Sequence, residues 1–370
     1  MPFFNVNKSR PLLYPERTLP KLLRYVWSLA LVFTTRAPLA APTAPYPVVD
    51  LHVDLSYQYN FKGKEFADLN GQFSVSAIKR GGVEGVVLPL FVPRAASPTG
   101  PRVEDLEHSF ARVSEALQQS PSFLRPGCSA EGGRVRTFFA FEGAGQLAGD
   151  PASLTRWASR GLRIVGLVHT FANELASSSG DPEPKPFGLT ERGRVFVQQA
   201  FALGLILDVS HASDRAVTDI LALAREARGV VVATHSNARA IADHPRNLTD
   251  EQLRAIAATG GVIGVNFHGP FVVRGRAPKL RDVVNQVRHL TQIAGVDHVA
   301  IGSDFEGDIR PPPELADASG FPRLGAALAK AGFEPSAIRK IFADNALRVL
   351  CPPVPAPNNA PAPNNGAAAP

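Results

Sequence analysis

A chain of 370 residues that is 45% hydrophobic can bury a sizeable core, which excludes general disorder and suits one large domain of α/β-barrel size. Its net charge is +6, but Lys8, Arg10, Arg17, Lys21, Arg24 and Arg36 against Glu16 put five of those charges in the first 36 residues. The remainder carries about +1 and has no basic stripe interleaved with aromatics, so no nucleic-acid partner is expected.

Taken from the N-terminus, Tyr25–Thr35 is an uncharged, mostly apolar run between Arg24 and Arg36. It is too short to span a bilayer, which takes roughly 20 apolar residues. Small residues from Ala37 to Ala44 follow it, so residues 1–44 read as a secretory signal and the protein as exported, to the periplasm or beyond. Without that signal the protein is cytoplasmic. No integral membrane span is expected in either case.

Eight Val/Ile/Leu-rich runs come next: Val48–Ser56, Val83–Val92, Thr137–Gly143, Ile164–Thr170, Leu205–His211, Val230–Ser236, Val262–His268 and Val299–Phe305. Helical spacing fills intervals between them, at Val103–Gln119, Thr190–Leu203, Asp214–Arg228, Thr249–Thr259, Leu280–Ala294 and Phe321–Ala331. Thr190 and Thr249 stand where N-caps belong. A last helix, Pro335–Leu350, is expected outside or under the sheet. Apolar strands alternating with helices imply parallel strands covered on both faces. Eight of them predict an α/β fold of the (β/α)₈ TIM-like barrel type over residues 45–351, with an open doubly wound sheet as the alternative. No Gly-x-Gly-x-x-Gly loop follows a strand, which weakens a dinucleotide-binding version.

The Pro/Ala/Asn-rich segment 352–370 cannot bury a core and reads as a disordered tail. Cys128 and Cys351 are the only cysteines. Their number excludes a thiolate zinc site and a disulfide framework. One bridge in an oxidising compartment and two free thiols both remain open.

Chemistry concentrates where the apolar runs end. The first carries Asp50, His52 and Asp54, which would share one face of a strand; the third, fourth, fifth, sixth and eighth end at Glu142, His169, His211, His235 and Asp304. Singly, each has an ordinary explanation, such as a hydrogen-bonded structural His or a carboxylate that caps a turn. Together they would converge at the C-terminal face of the barrel, the catalytic face of this fold. Burying so many ionisable groups without partners is costly, and one or two cations would remove that cost. Zn²⁺ suits His and carboxylate ligands without Cys. Their number exceeds what one tetrahedral ion uses, which points to two ions sharing a carboxylate and to metal-assisted hydrolysis.

Five stretches then resemble the membrane dipeptidase family: Asp-Val-Ser-His-Ala-Ser (208–213), Thr-His-Ser-Asn-Ala-Arg (234–239), His-Pro-Arg-Asn-Leu-Thr-Asp-Glu-Gln-Leu (244–253), Gly-Gly-Val-Ile-Gly-Val-Asn-Phe (260–267) and Ile-Gly-Ser-Asp-Phe-Glu-Gly (301–307). The resemblance implies hydrolysis of dipeptides, C-terminal D-residues included, by a hydroxide between two zinc ions. One zinc would be held by His52 and Asp54, the other by His211 and His235, with Glu142 bridging. Other branches of the amidohydrolase superfamily bridge with a carbamylated Lys, and no strand end here offers one. By the same resemblance His169 would stabilise the oxyanion, Asp304 would shuttle the proton, and Arg246 would pair with the substrate carboxylate. His268 stands where many members have Tyr. The loop 176–186 would be a flexible lid at the mouth. Asp50, deeper than His52, would be a supporting partner of the ligands. The alternative is another binuclear-metal amidohydrolase, acting on N-acyl amino acids or lactones. The oligomeric state stays open, a homodimer included.

Overall fold

The computed structural model describes residues 46–96 and 100–352, so the expectations for residues 1–44 and for nearly all of the tail lie outside the described residues. Nine strands are present among the described residues: β1 (Val48–Asp50), β2 (Val83–Leu90), β3 (Phe123–Pro126), β4 (Val135–Glu142), β5 (Leu162–Gly166), β6 (Ile206–Asp208), β7 (Val231–Val232), β8 (Ile263–Val265) and β9 (Val299–Ile301). Eight of them pair in parallel in the order β7-β6-β5-β4-β2-β1-β9-β8. A parallel bridge between Ala233 and Ile263 joins the two ends of that row. The result is a nearly closed (β/α)₈ barrel rather than an open sheet. β3 is extra; it lies alongside the start of β4, Phe123 beside Val135 and Pro126 beside Thr137.

The near-continuous apolar runs follow from burial on both faces. Val49, Val87, Phe138, Ala140, Ile164, Ile206, Val232 and Ala300 fill the barrel interior. Their neighbours Val48, Val86, Phe139, Val165, Leu207 and Val231 pack outward against the helices. The last helical segment closes the interior from below. It runs through Pro335–Arg339, a π-type turn at Lys340–Asp344, and Asn345–Leu350, and it places Ala343, Ala346, Val349 and Leu350 against the inner cluster.

Helices Val103–Gln119 and Leu280–Ala294 have the expected bounds. Thr190 and Thr249 cap Glu191–Ala202 and Asp250–Ala258, and Gln252 completes a capping box with Thr249. Leu55–Phe61, Val75–Gly81, Ser153–Ser159 and Gly269–Val272 were not expected; at one to two turns they are too short to show a helical period. No helix among the described residues is long and apolar enough to cross a membrane.

Two further points depart from the sequence or settle what it left open. The strands stop early: β1 ends at Asp50, and Asp54 already precedes the helix that starts at Leu55, so Asp50, His52 and Asp54 do not share one strand face. Cys128 and Cys351 form a disulfide with a Cα–Cα distance of 5.7 Å.

Candidate metal centre

The strand ends deliver their polar residues to one place. Glu142, last residue of β4, points Oε1 at four imidazoles: Nε2 of His211 at 3.0 Å, His52 at 3.4 Å, His235 at 3.6 Å and His169 at 3.9 Å. His211 and His235 also bring their Nε2 atoms within 3.0 Å of each other. On the far side, Asp54 Oδ2 lies 3.7 Å from His52 Nε2. Asp304 joins His52 and Asp54, with donor atoms within 4.8 Å of one another. Two other sets meet the same limit of 4.8 Å, His52/Glu142/His235 and Glu142/His169/His211. Every residue expected at the metal site is therefore in the cluster, with Glu142 at its centre.

Backbone turns aim two of these side chains. His211 and Asp304 adopt left-handed φ of 68° and 67°, uncommon for non-glycine residues. Each sits just past its strand, where the turn swings the side chain into the mouth. Asp50 acts on the backbone: its Oδ1 accepts the N–H of His52 at 3.2 Å and of Ser303 at 2.9 Å, tying the end of β1 to the end of β9. Burial pushes its pKa up to about 6.

The charges are unevenly matched. Burial drives the His211 and His235 imidazoles well below their usual range. Burial works the same way on His52, but the Glu142 and Asp54 carboxylates outweigh it and raise His52 to about 10. Glu142 would be raised by burial, yet His52 and His169 hold it well below the usual carboxylate range. Burial raises Asp54, and lifts Asp304 to about 6. Three carboxylates thus share one small space at the bottom of the mouth. His52 Nε2 is fully buried and makes no hydrogen bond. Nitrogen and oxygen donors that converge around one carboxylate oxygen, with His52 Nε2 left unsatisfied, fit a divalent cation of the Zn²⁺ type.

The surroundings divide into two cavities. One, of about 230 Å³, is lined by Asp54, Glu142, His169, Arg246, His268 and Asp304. Arg246 is buried, has no ion pair among the described residues, and leaves Nε without a hydrogen bond. Its Nη2 donates to the His235 carbonyl at 3.4 Å, and Phe271 lies under the guanidinium at 5.4 Å. His244 accepts the Arg246 backbone N–H at 3.1 Å and packs its ring, tilted, against Phe271 at 4.6 Å. The second cavity, of about 520 Å³, shares Phe91, Glu142 and His169 with the first and extends outward past Arg94, Phe171 and Arg192.

The loop expected as a flexible lid is in part anchored. Ala176, Ser177 and Ser178 are buried, and Ser178 Oγ donates to the carbonyls of His169 at 2.5 Å and His211 at 3.2 Å. Sequence reasoning also missed Thr234, Asp208 and Asn266. Thr234 Oγ1 touches His52 and His235, Asp208 accepts from the Thr234 hydroxyl, and Asn266 Nδ2 donates to Asp304 Oδ2 at 2.9 Å. Asp208 had a signal: it ends β6 shortly before His211, much as Asp50 ends β1 shortly before His52.

The family model described as membrane dipeptidase (peptidase family M19) matches residues 41–354. The chain belongs to this family. It is thus a dipeptidase-like metallohydrolase, in keeping with the donor cluster above. The chain is similar to an uncharacterized protein in the pqqA 5′ region of Klebsiella pneumoniae, 41% identical over 221 residues that span 56% of this chain and 79% of that protein. Dipeptidase aclJ of Aspergillus oryzae is 27% identical over 343 residues, covering 85% of this chain and 80% of its own. A metallo peptidase from Rhodobacter sphaeroides, solved with a phosphinate mimic of the dipeptide L-Ala-D-Ala, superposes with a TM-score of 0.73 at 27% identity over 82% of this chain and 98% of that one.

Proposed function

We propose that this membrane dipeptidase relative hydrolyses dipeptides with two zinc ions, one on His52 and Asp54, the other on His211 and His235, and Glu142 shared between them. When bound, the ions supply Lewis acidity, polarising the scissile carbonyl and making the attacking water acidic near neutral pH. Asp304, lifted to about 6 by burial, takes the water's proton and passes it to the leaving nitrogen. Asn266 occupies Asp304 Oδ2 and leaves Oδ1 for that exchange. The Thr170 hydroxyl lies 2.8 Å from His169 Nδ1. Donating there, it keeps the proton on Nε2, which faces the oxyanion.

The observation that carries the substrate class is Arg246, a buried guanidinium without a counter-ion among the described residues. A substrate carboxylate supplies one, bidentately. Arg246 follows β7, whereas the larger cavity opens among the loops after β2, β4 and β5. The amino-terminal residue of the substrate therefore occupies that cavity. A C-terminal D-residue fits the same reading, supported by the ligand of the Rhodobacter sphaeroides relative. Export, proposed from residues 1–44, draws support from the Cys128–Cys351 bridge, since disulfides persist in oxidising compartments.

A panel of L,L and L,D dipeptides, N-acyl amino acids and lactones, with metal quantified on the same sample, tests this reading. About two zinc per chain and a preference for dipeptides are expected. Arg246→Ala should raise KM for dipeptides about 10–100-fold, the worth of a charged hydrogen-bond pair. Substrates without a terminal carboxylate should barely respond. An equal effect on both classes would remove the carboxylate anchor.

A further inference from the structure

One hydroxyl stands behind both halves of the metal-ligand cluster. Thr234 Oγ1 lies 2.9 Å from His235 Nδ1 and 3.1 Å from His52 Nδ1. It lies 2.5 Å from Asp208 Oδ2, to which it donates. Ser210 Oγ is further off, at 3.4 Å. Thr234, Asp208, His52 and His235 are all buried. Asp208 Oδ1 in turn accepts the backbone N–H groups of Ser210 at 2.9 Å and Thr234 at 3.0 Å, which fixes the carboxylate against β7.

A hydroxyl has one proton to give and two lone pairs to receive with. The proton goes to Asp208. Both lone pairs are then left for the two imidazoles, and each imidazole must carry its proton on Nδ1. The opposite nitrogens, both Nε2, are turned bare toward Glu142, at 3.4 and 3.6 Å. Metal-binding histidines commonly give their second N–H to a carboxylate or carbonyl, which fixes tautomer and ring orientation. Here a single carboxylate reaches two histidines through one shared hydroxyl.

We propose that Thr234, held by Asp208, is a positioning residue common to both metal ions, setting His52 and His235 as Nε2 ligands together. The inference rests on the metal-site reading above, in which those two histidines belong to different ions. Loss of the hydroxyl therefore loosens both ions, although Thr234 is adjacent in sequence to only one ligand.

The test uses the full chain and zinc alone as probe. Zinc affinity is measured by competition with a chromophoric chelator for wild type, Thr234→Val and Thr234→Ser. Val keeps the shape and removes the hydroxyl; Ser restores it. In Thr234→Val both binding steps should weaken about 10–100-fold, the usual cost of losing such a partner. Thr234→Ser should stay close to wild type. Unchanged affinity in Thr234→Val, or a loss confined to one step, overturns the shared role. A second readout needs no variant: histidine ¹⁵N shifts of the zinc-loaded wild type should show His52 and His235 protonated on Nδ1 and ligated through Nε2. Ligation through Nδ1 at either ring overturns the proposal even if Thr234→Val fails to fold. A wild type that binds no zinc removes the metal-site reading itself, which separates the two failures.

Discussion

At the scale of single residues, one atom organises the site. Glu142 Oε1 faces four imidazole nitrogens at once, between 3.0 Å (His211) and 3.9 Å (His169) away. Glu142→Gln keeps the volume but removes the charge, and offers an N–H₂ where a lone pair is needed. We expect at least about 10–100-fold weaker metal binding, with dipeptide hydrolysis falling at least as far. Elemental analysis and a dipeptide assay on one preparation check this, and normal metal content with full activity would sink it. Glu142 and the histidines were legible in the sequence because each is an ionisable residue closing an apolar run. Thr234 and Asp208 were not. Hydroxyls and carboxylates near strand ends are common, and nothing links them to His52 until β6, β7 and β1 are folded around one axis.

Among the elements, the eight barrel strands and their parallel pairing followed from the alternation of apolar runs with helices, whereas the extra strand β3 did not. The positions where strands end did not follow. Apart from Glu142, the last residue of β4, the candidate ligands lie past the strands, in turns set by tertiary contacts such as the Asp50 bonds to His52 and Ser303. Two glycines show how tightly this rim is packed. A Cβ on Gly264, in β8, or on Gly302, just after β9, would collide with the carbonyl oxygen of Thr234, and each would also reach 3.1 Å from the other's Cα. Neither has a left-handed φ, so the requirement is room rather than backbone freedom. Gly302→Ala should therefore push β7 outward, lowering stability by about 1–3 kcal/mol as overpacked cores do. It should also loosen zinc, because the displaced residue is Thr234. Gly149→Ala, with open space around it, is the control and should change neither melting temperature nor zinc affinity. Equal behaviour of the two variants would refute the packing argument.

For the molecule as a whole, the site and the seal lie at opposite ends of the barrel. The inner core is closed below by Ala343, Ala346, Val349 and Leu350, with Cys351 immediately after them. Asn345 Nδ2 donates to the carbonyls of Val296 at 2.7 Å and Val299 at 2.8 Å, and Arg163 Nε to that of Leu350 at 3.0 Å. The disulfide then fastens this plug to Cys128, beyond β3. The sequence left the pairing open because 223 residues separate the two cysteines, and only the fold brings them together. A bridge over so long a loop constrains the unfolded chain strongly, in the range of about 2–4 kcal/mol for measured cases. Cys351→Ser, or the double variant with Cys128→Ser, should lower the melting temperature by roughly 3–6 °C in a domain of this size. Reductant should shift the wild type by a similar amount and leave the double variant unmoved. Because the bridge is remote from Glu142 and Arg246, kcat/KM at temperatures well below melting should not change. A variant that melts with the wild type would show the plug to be held by its packing alone, and would remove the bridge as support for an oxidising compartment.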